Sequence, residues 1–119
     1  MFTLSIDCGG SFIKSAVLDQ SGTIHGSEQR IPTPYPLSAE RFVKTMGDVV
    51  AANAPADRIT IGMPGMIRHG VVMHTPHYIN EAGPFTRRDP ELAKSWKSFD
   101  VQRAVAALTG KPTIVMNDA

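Results

Sequence analysis

The short connections between the first three strand-like segments constrain this fold more than any other feature. Residues 2–6, 12–18 and 23–31 combine apolar and β-branched residues in a pattern typical of strands. The connections at 7–10 and 19–22 consist of turn-forming residues. Because parallel strands need a crossover of about a dozen residues or more, such short turns predict an antiparallel meander.

A helix and a further strand follow the meander. The prolines at 32–36 end it, since proline lacks the backbone N–H that a strand ladder needs. Ser38 and Glu40 favour a helix start, and an apolar helical pattern of about four turns fades at Asn53. Residues 58–63 predict a short buried strand. A strand, a helix and a strand in succession imply a parallel right-handed crossover, so the fold class is α/β.

The second half of the sequence is less regular. A small hairpin is predicted at 66–74, and periodicity then fails over 75–98, which predicts a long irregular loop. Asp100 suits the cap of a second helix that stops at Gly110. Residues 113–116 predict a final buried strand.

Charge and composition limit the partners of this protein. Twelve Lys and Arg oppose eleven Asp and Glu, which gives a net charge of +1 with no block of like charge. Nothing electrostatic therefore points to nucleic acid or to an anionic membrane. The apolar runs are too short for a spanning helix, and Cys8 cannot form an internal disulfide. We expect a cytoplasmic protein of one domain.

The turn between the first two strands carries candidate phosphate ligands. The backbone N–H groups of Gly9 and Gly10 can face an anion, and Ser11 and Lys14 can donate to it. Asp7 can hold a hydrated Mg²⁺ that neutralises a phosphate chain. The same residues suit a plain Gly-Gly hairpin with an incidental lysine, and the local pattern favours neither. The turn is not a Walker loop or a Rossmann fingerprint, because both of those lead from a strand to a helix.

Further motifs accompany this turn and run to the end of the sequence: Gly62-x-Pro64-Gly65, Lys94-Ser95-Trp96, Thr109-Gly110-Lys111-Pro112 and Asn117-Asp118-Ala119. Together with Asp7-x-Gly9-Gly10-Ser11-x-x-Lys14, they resemble the ROK family (repressors, open reading frames, kinases) of the actin-like sugar kinases. The Lys-Ser-Trp motif and its distance from Asn-Asp-Ala look most like the polyphosphate glucokinase branch.

The resemblance implies an actin-like ATPase (ribonuclease H-like) N-terminal lobe, with a mixed five-stranded sheet of order 3-2-1-4-5, helices and a small extra hairpin. It also implies phosphoryl transfer from ATP or polyphosphate, with Mg²⁺, to a hexose hydroxyl. In that family the remaining sugar ligands, the zinc site, the second phosphate motif and the adenosine pocket follow Asn-Asp-Ala. We therefore expect the 119 residues to form one lobe and to be inactive alone.

Site residues follow from the resemblance one by one. Asp118 matches the catalytic base that takes the proton of the sugar hydroxyl. Asn117 matches a sugar-hydroxyl ligand, and Gly65 matches a loop whose backbone contacts the sugar. Two polar residues alone would more often be the polar end of a strand, and the accompanying motifs favour the catalytic reading. The phosphate and Mg²⁺ ligands of the family match Asp7, Gly9, Gly10, Ser11 and Lys14.

The second hypothesis is a non-catalytic sugar- or phosphate-binding domain, or a regulatory relative of the same family. Family repressors carry a DNA-binding helix-turn-helix ahead of the first strand, whereas here that strand starts at Phe2. The family fold also covers one sheet face with a helix after Asn-Asp-Ala. We therefore expect exposed apolar surface near the final strand, which could support a homo-oligomer.

Three smaller expectations concern single side chains. Sugar contacts from Asn80 or Trp96 are doubtful, and Trp96 is predicted to anchor the irregular loop on the lobe. His74 and His77 are predicted to be surface residues, not a metal pair. Cys8 is predicted to be a small core residue.

Overall fold

The computed structural model describes residues 1–117 and contains one mixed five-stranded sheet, a two-stranded sheet and helices packed against them. In chain order the elements are β1 (Thr3–Cys8), β2 (Phe12–Leu18), β3 (Gln29–Pro32), α1 (Ala39–Ala52), β4 (Arg58–Met63), β5 (Met66–Arg68), β6 (Val71–His74), α2 (Pro90–Trp96), α3 (Val101–Thr109) and β7 (Thr113–Asn117).

The main sheet has the order β3-β2-β1-β4-β7. Strands β1, β2 and β3 pair antiparallel, whereas β4 pairs parallel with both β1 and β7. The antiparallel pairs are joined by residues 9–11 and 19–28, which are too few for a crossover. The parallel pairs are separated by helices, as chain reach requires. Because β5 and β6 form the separate hairpin, β7 is the fifth strand of the main sheet. The predicted α/β fold and the strand order 3-2-1-4-5 are confirmed.

The core lies on one face of the main sheet. Leu4, Ile6 and Cys8 alternate with more exposed residues along β1 and point to that face, as a half-buried strand requires. Phe42 and Met46 of α1 are fully buried in the same cluster, which includes Val101 and Val105 of α3. Helix α1 begins as predicted, with the Ser38 side chain accepting from the Arg41 N–H. The prediction that Cys8 is a core residue is confirmed.

The opposite face of the main sheet is open near its last strand. Ile114 and Met116 of β7 are 55% and 48% exposed. Their neighbours in β4 are Thr60 and Gly62, on the face away from the core. The expected apolar surface near the final strand is present. No helix within residues 1–117 is long and apolar enough to cross a membrane.

Two predicted segments differ from the structure. The third strand was expected over 23–31 but covers only Gln29–Pro32, with a single bridge between Leu18 and Ile24 before it. Residues 21–30 are all exposed, so no buried face fixes a strand register there.

The second difference is helix α2, which lies inside the segment predicted to be irregular. Pro90 does not interrupt this helix, because it stands in the first turn of α2, where proline needs no N–H partner. The Asp89 side chain caps this helix by accepting from the Glu91 N–H. The helix is only seven residues long, too short for a clear apolar period in the sequence.

Candidate functional site

Three side-chain hydroxyls donate hydrogen bonds to the turn between β1 and β2, residues 9–11, which we call the glycine turn. The Gly9 oxygen accepts hydrogen bonds from Thr33 Oγ1 and Tyr78 Oη, each at 3.1 Å. The Gly10 oxygen accepts from Tyr35 Oη at 2.6 Å. These donors come from distant parts of the chain, and together they fix the orientation of two successive peptide groups.

Engaged carbonyl oxygens matter for an anion site, because a free carbonyl oxygen would repel phosphate. The Ser11 oxygen is also engaged, since it accepts from the Thr33 N–H at 2.9 Å. Burial raises the pKa of Tyr35 to about 12, so its hydroxyl stays protonated and donates at neutral pH. The Gly9 N–H donates to the Phe12 oxygen at 2.9 Å, so the expectation that it faces an anion is wrong. The turn can still present the Gly10 N–H to a negative ligand, with its carbonyl oxygens already satisfied.

Close packing explains why this turn contains glycine. A Cβ on Gly10 would lie 2.9 Å from Pro84 Cγ and 3.6 Å from His77 Cγ. A Cβ on Gly9 would lie 3.0 Å from the Phe12 oxygen. The irregular segment after β6 thus covers the turn closely, and larger residues would push it away.

Asp7 and Lys14 face each other across the β1–β2 pair. Both are exposed and line a shallow cavity of about 330 Å³ with Ser5 and Glu28. A carboxylate beside an ammonium group can accommodate both a hydrated cation and the phosphate oxygens that the cation contacts. Within residues 1–117 no group of three or more His, Cys, Asp or Glu could hold a metal ion. A single carboxylate fits Mg²⁺, which keeps most of its waters.

Gly65 and Asn117 meet at the end of β4 and β7. The Asn117 side-chain amide donates to the Gly65 oxygen. Gly65 has φ of 108°, and an added Cβ would run into the backbone of His74 and Thr75. Only glycine fits this conformation and this space. The two residues, with Met66, Ile67, His74 and Pro76, line a cavity of about 450 Å³.

The two turns lie at the same edge of the sheet. Asp7, Gly62 and Met116 are in register across the parallel strands β1, β4 and β7, so the three strands end side by side. In open α/β sheets, ligands bind at the carboxyl ends of the strands. The structure therefore brings the predicted site residues together at this edge, except Asp118, which lies outside the described residues.

Sequence reasoning missed the hydroxyls that hold the glycine turn. Thr33 and Tyr35 stand in the proline-rich segment that was interpreted only as a strand end, and Tyr78 lies in the irregular segment. Their only local signal is that a proline-rich segment has a restricted backbone. Nothing in the local pattern connects them to Gly9 or Gly10.

Trp96 occupies the predicted place, and of the two histidines only His74 is exposed as expected. Trp96 is 2% exposed, its Nε1 donates to the Leu37 oxygen at 2.9 Å, and its ring packs edge-on against Phe42. It anchors α2 on α1, as predicted. His74 is exposed and His77 is half-buried, and neither belongs to a metal-binding group among the described residues.

An antiparallel meander, a parallel crossover and a glycine turn at the carboxyl edge define the actin-like ATPase fold, and structures with that fold match this one. The ROK family model matches residues 3–119, and the chain belongs to the ROK family. Over 116 residues it is 28% identical to a polyphosphate glucokinase of Mycobacterium tuberculosis, a match that covers 96% of this chain and 38% of the relative.

Two other proteins are similar to this chain to a comparable degree. An N-acetylmannosamine kinase of Escherichia coli is 28% identical over 121 residues, which cover all of this chain and 36% of the relative. The crystal structure of an inorganic polyphosphate/ATP-glucomannokinase from Arthrobacter sp. strain KM is 31% identical, with a TM-score of 0.77, over 99% of this chain and 44% of that one. The chain thus spans little more than a third of the length of the curated relatives.

Proposed function

We propose that this chain is the N-terminal lobe of a ROK sugar kinase that transfers a phosphoryl group to a hexose hydroxyl. The observation that carries the proposal is the glycine turn and the Gly65–Asn117 pair at one edge of the sheet. The glycine turn suits a phosphate chain, and the Gly65–Asn117 pair suits a polar, uncharged ligand. The relatives support the class of reaction, since those compared above are sugar kinases.

The phosphate side of the proposed site is the β1–β2 turn. The Gly10 N–H and the Ser11 hydroxyl bind phosphate oxygens, and Lys14 neutralises their charge. Gly9 shapes the turn, since its own N–H donates to the Phe12 oxygen. Asp7 holds Mg²⁺ through water, and the ion, when bound, offsets the charge of the transferred phosphoryl group. The donor is ATP or polyphosphate.

The sugar side of the proposed site combines Gly65, Asn117 and Asp118. The Gly65 backbone and the Asn117 amide orient the hexose. Asp118 accepts the proton of the attacking hydroxyl, an assignment that comes from the family motif alone. Phosphoryl transfer requires little more than positioning and charge neutralisation, so one weak base suffices.

We further propose that this lobe is inactive alone and acts in the cytoplasm. Kinase chemistry needs a cleft that closes between two lobes and excludes water. The chain matches little more than a third of each curated relative, which supports a missing second lobe.

A phosphorylation screen of the full-length protein that carries this sequence tests the proposal. Several hexoses are paired with ATP or polyphosphate, with and without Mg²⁺. Asp118→Asn should lower kcat by about 10²–10⁴-fold, the usual contribution of general base catalysis. Asp48→Asn is the control, because Asp48 pairs only with Lys44 on the exposed side of α1 among the described ion pairs. Failure of every donor and sugar pair would refute the kinase proposal, and full activity of the 119 residues alone would refute the lobe proposal.

A further inference from the structure

A second cavity lies between β6, α2 and the segment that joins them. Its volume is about 470 Å³, and it contains neither the glycine turn nor Gly65 and Asn117. It shares one residue, His74, with the cavity that Gly65 and Asn117 line. Its floor is apolar, with Val72, Ile79 and Trp96. Its charged lining consists of Arg88, Lys94 and Lys97, and no acidic side chain lines it.

The three cations are not balanced by acidic partners. Within residues 1–117 the ion pairs are Lys44 with Asp48 and Arg87 with Glu81, so Arg88, Lys94 and Lys97 take part in none. Like charges around one concave surface repel each other and raise the local concentration of anions. An anion in the cavity would remove that repulsion.

Helix stability accounts for only part of this arrangement. Lys94 and Lys97 stand three residues apart at the C-terminal end of α2, where positive charge favours the helix dipole. Arg88 stands just before the N-terminal cap, where positive charge opposes the same dipole. Its position is fixed by the backbone bridge to Asn80. The placement of Arg88 therefore has no stabilising explanation within the helix.

A buried hydroxyl beside the cations gives an independent indication of a ligand. Thr75 lines the cavity and is 1% exposed, and its Oγ1 has no hydrogen-bond partner among the described residues. An unsatisfied buried polar atom carries a desolvation penalty that native structures rarely leave without a partner. A ligand oxygen, or a water that the ligand holds, would supply one after a small rotation of this side chain.

We propose that this cavity binds a run of a linear phosphate chain, as inorganic polyphosphate supplies. A phosphate chain carries a negative charge on every unit, which suits three separated cations around one cavity better than a single anion does. Arg88 can bind phosphate oxygens with two parallel N–H groups, and the lysines act as point charges. The apolar floor lowers the local dielectric constant and strengthens these contacts.

Trp96 provides a direct measurement, because it is the only tryptophan of the chain and lines the cavity. Tripolyphosphate is titrated into the 119-residue chain, and binding is followed by Trp96 emission and by calorimetry. Lys94→Met/Lys97→Met is compared with Lys44→Met/Arg103→Met, which removes two exposed cations elsewhere. Lys14→Met separates this cavity from the proposed phosphate turn. Circular dichroism confirms that each variant is folded.

We expect saturable tripolyphosphate binding that weakens with added salt. Loss of Lys94 and Lys97 should weaken it about tenfold or more, whereas the control and Lys14→Met should leave the emission change in place. No binding, or equal binding to the paired variants, would overturn the proposal. If ATP binds as tightly as tripolyphosphate and through the same lysines, the cavity is a nucleotide site, and the proposal that it binds an inorganic phosphate chain is overturned. The titration needs neither sugar nor turnover, so its outcome is independent of the kinase proposal.

Discussion

The two glycine turns at the carboxyl edge of the sheet require glycine for different reasons. Gly65 adopts a positive φ and leaves no space for a Cβ against the backbone of His74 and Thr75. Gly10 has no such backbone constraint, and its missing Cβ faces the side chain of Pro84. Gly65 is thus required by backbone conformation and backbone contacts, whereas Gly10 is required only by the side chain that packs on it. Substitution should separate the two cases.

Gly65→Ala should have the largest effect. Alanine at φ of 108° is strained, and its Cβ has backbone atoms in its way, which cannot rotate aside. We expect a loss of about 3 kcal/mol or more in the free energy of unfolding. Chemical denaturation measures it.

Gly22→Ala is the matched control for that substitution. Gly22 also has a positive φ, of 84°, but nothing lies within 4 Å of its added Cβ. Only the cost of the positive φ remains, so the free energy of unfolding should fall by about 1 kcal/mol. Equal losses at the two positions would show that packing on His74 and Thr75 contributes nothing.

Gly10→Ala should lower the free energy of unfolding by an intermediate amount, about 1–2 kcal/mol, because the loop that carries Pro84 must move away. Gly47→Ala offers a useful contrast. Its Cβ would also lie 2.9 Å from a neighbour, Leu108 Cδ2, but Leu108 is 56% exposed and can rotate into solvent. Since alanine favours a helix, Gly47→Ala should be neutral or stabilising. Destabilisation by both variants to the same extent would contradict this account.

The hydroxyls behind the glycine turn should have smaller and coupled effects. Tyr78→Phe and Thr33→Val each remove one of two donors to the Gly9 oxygen, so each should cost about 0.5–1 kcal/mol. The double variant removes both hydroxyl donors and should lower the free energy of unfolding by more than the sum of the two single losses. The Phe42 and Trp96 rings that pack on Tyr78 keep their contacts with phenylalanine. Simple additivity in denaturation experiments would mean that the two donors act separately.

Local chemistry explains why much of the fold could be predicted. Short turns required the meander, and Ser38 and Asp100 each accept from a backbone N–H three residues later, as cap residues do. The hydrogen bonds from side-chain hydroxyls to the glycine turn could not be predicted, because Tyr35 and Tyr78 lie 25 and 69 residues from the glycines they contact. Helix α2 was missed because a capped seven-residue helix has little periodicity. The motifs predict which residues form the site, while side chains distant in the sequence determine the geometry of the glycine turn.

The last prediction concerns alkaline pH and the Tyr35 hydroxyl. Burial raises its pKa to about 12 from the ordinary value of 10.0, so the folded chain keeps a proton that the unfolded chain loses. The contribution of Tyr35 to stability is therefore complete below pH 10 and declines as the pH rises toward 12. Tyr35→Phe should be less stable than the native chain at neutral pH, because the Gly10 oxygen loses its donor. It should also decline less between pH 10 and 12, so the two stability profiles converge there. Parallel profiles for the two chains would show that Tyr35 ionises as easily in the folded chain as in the unfolded one.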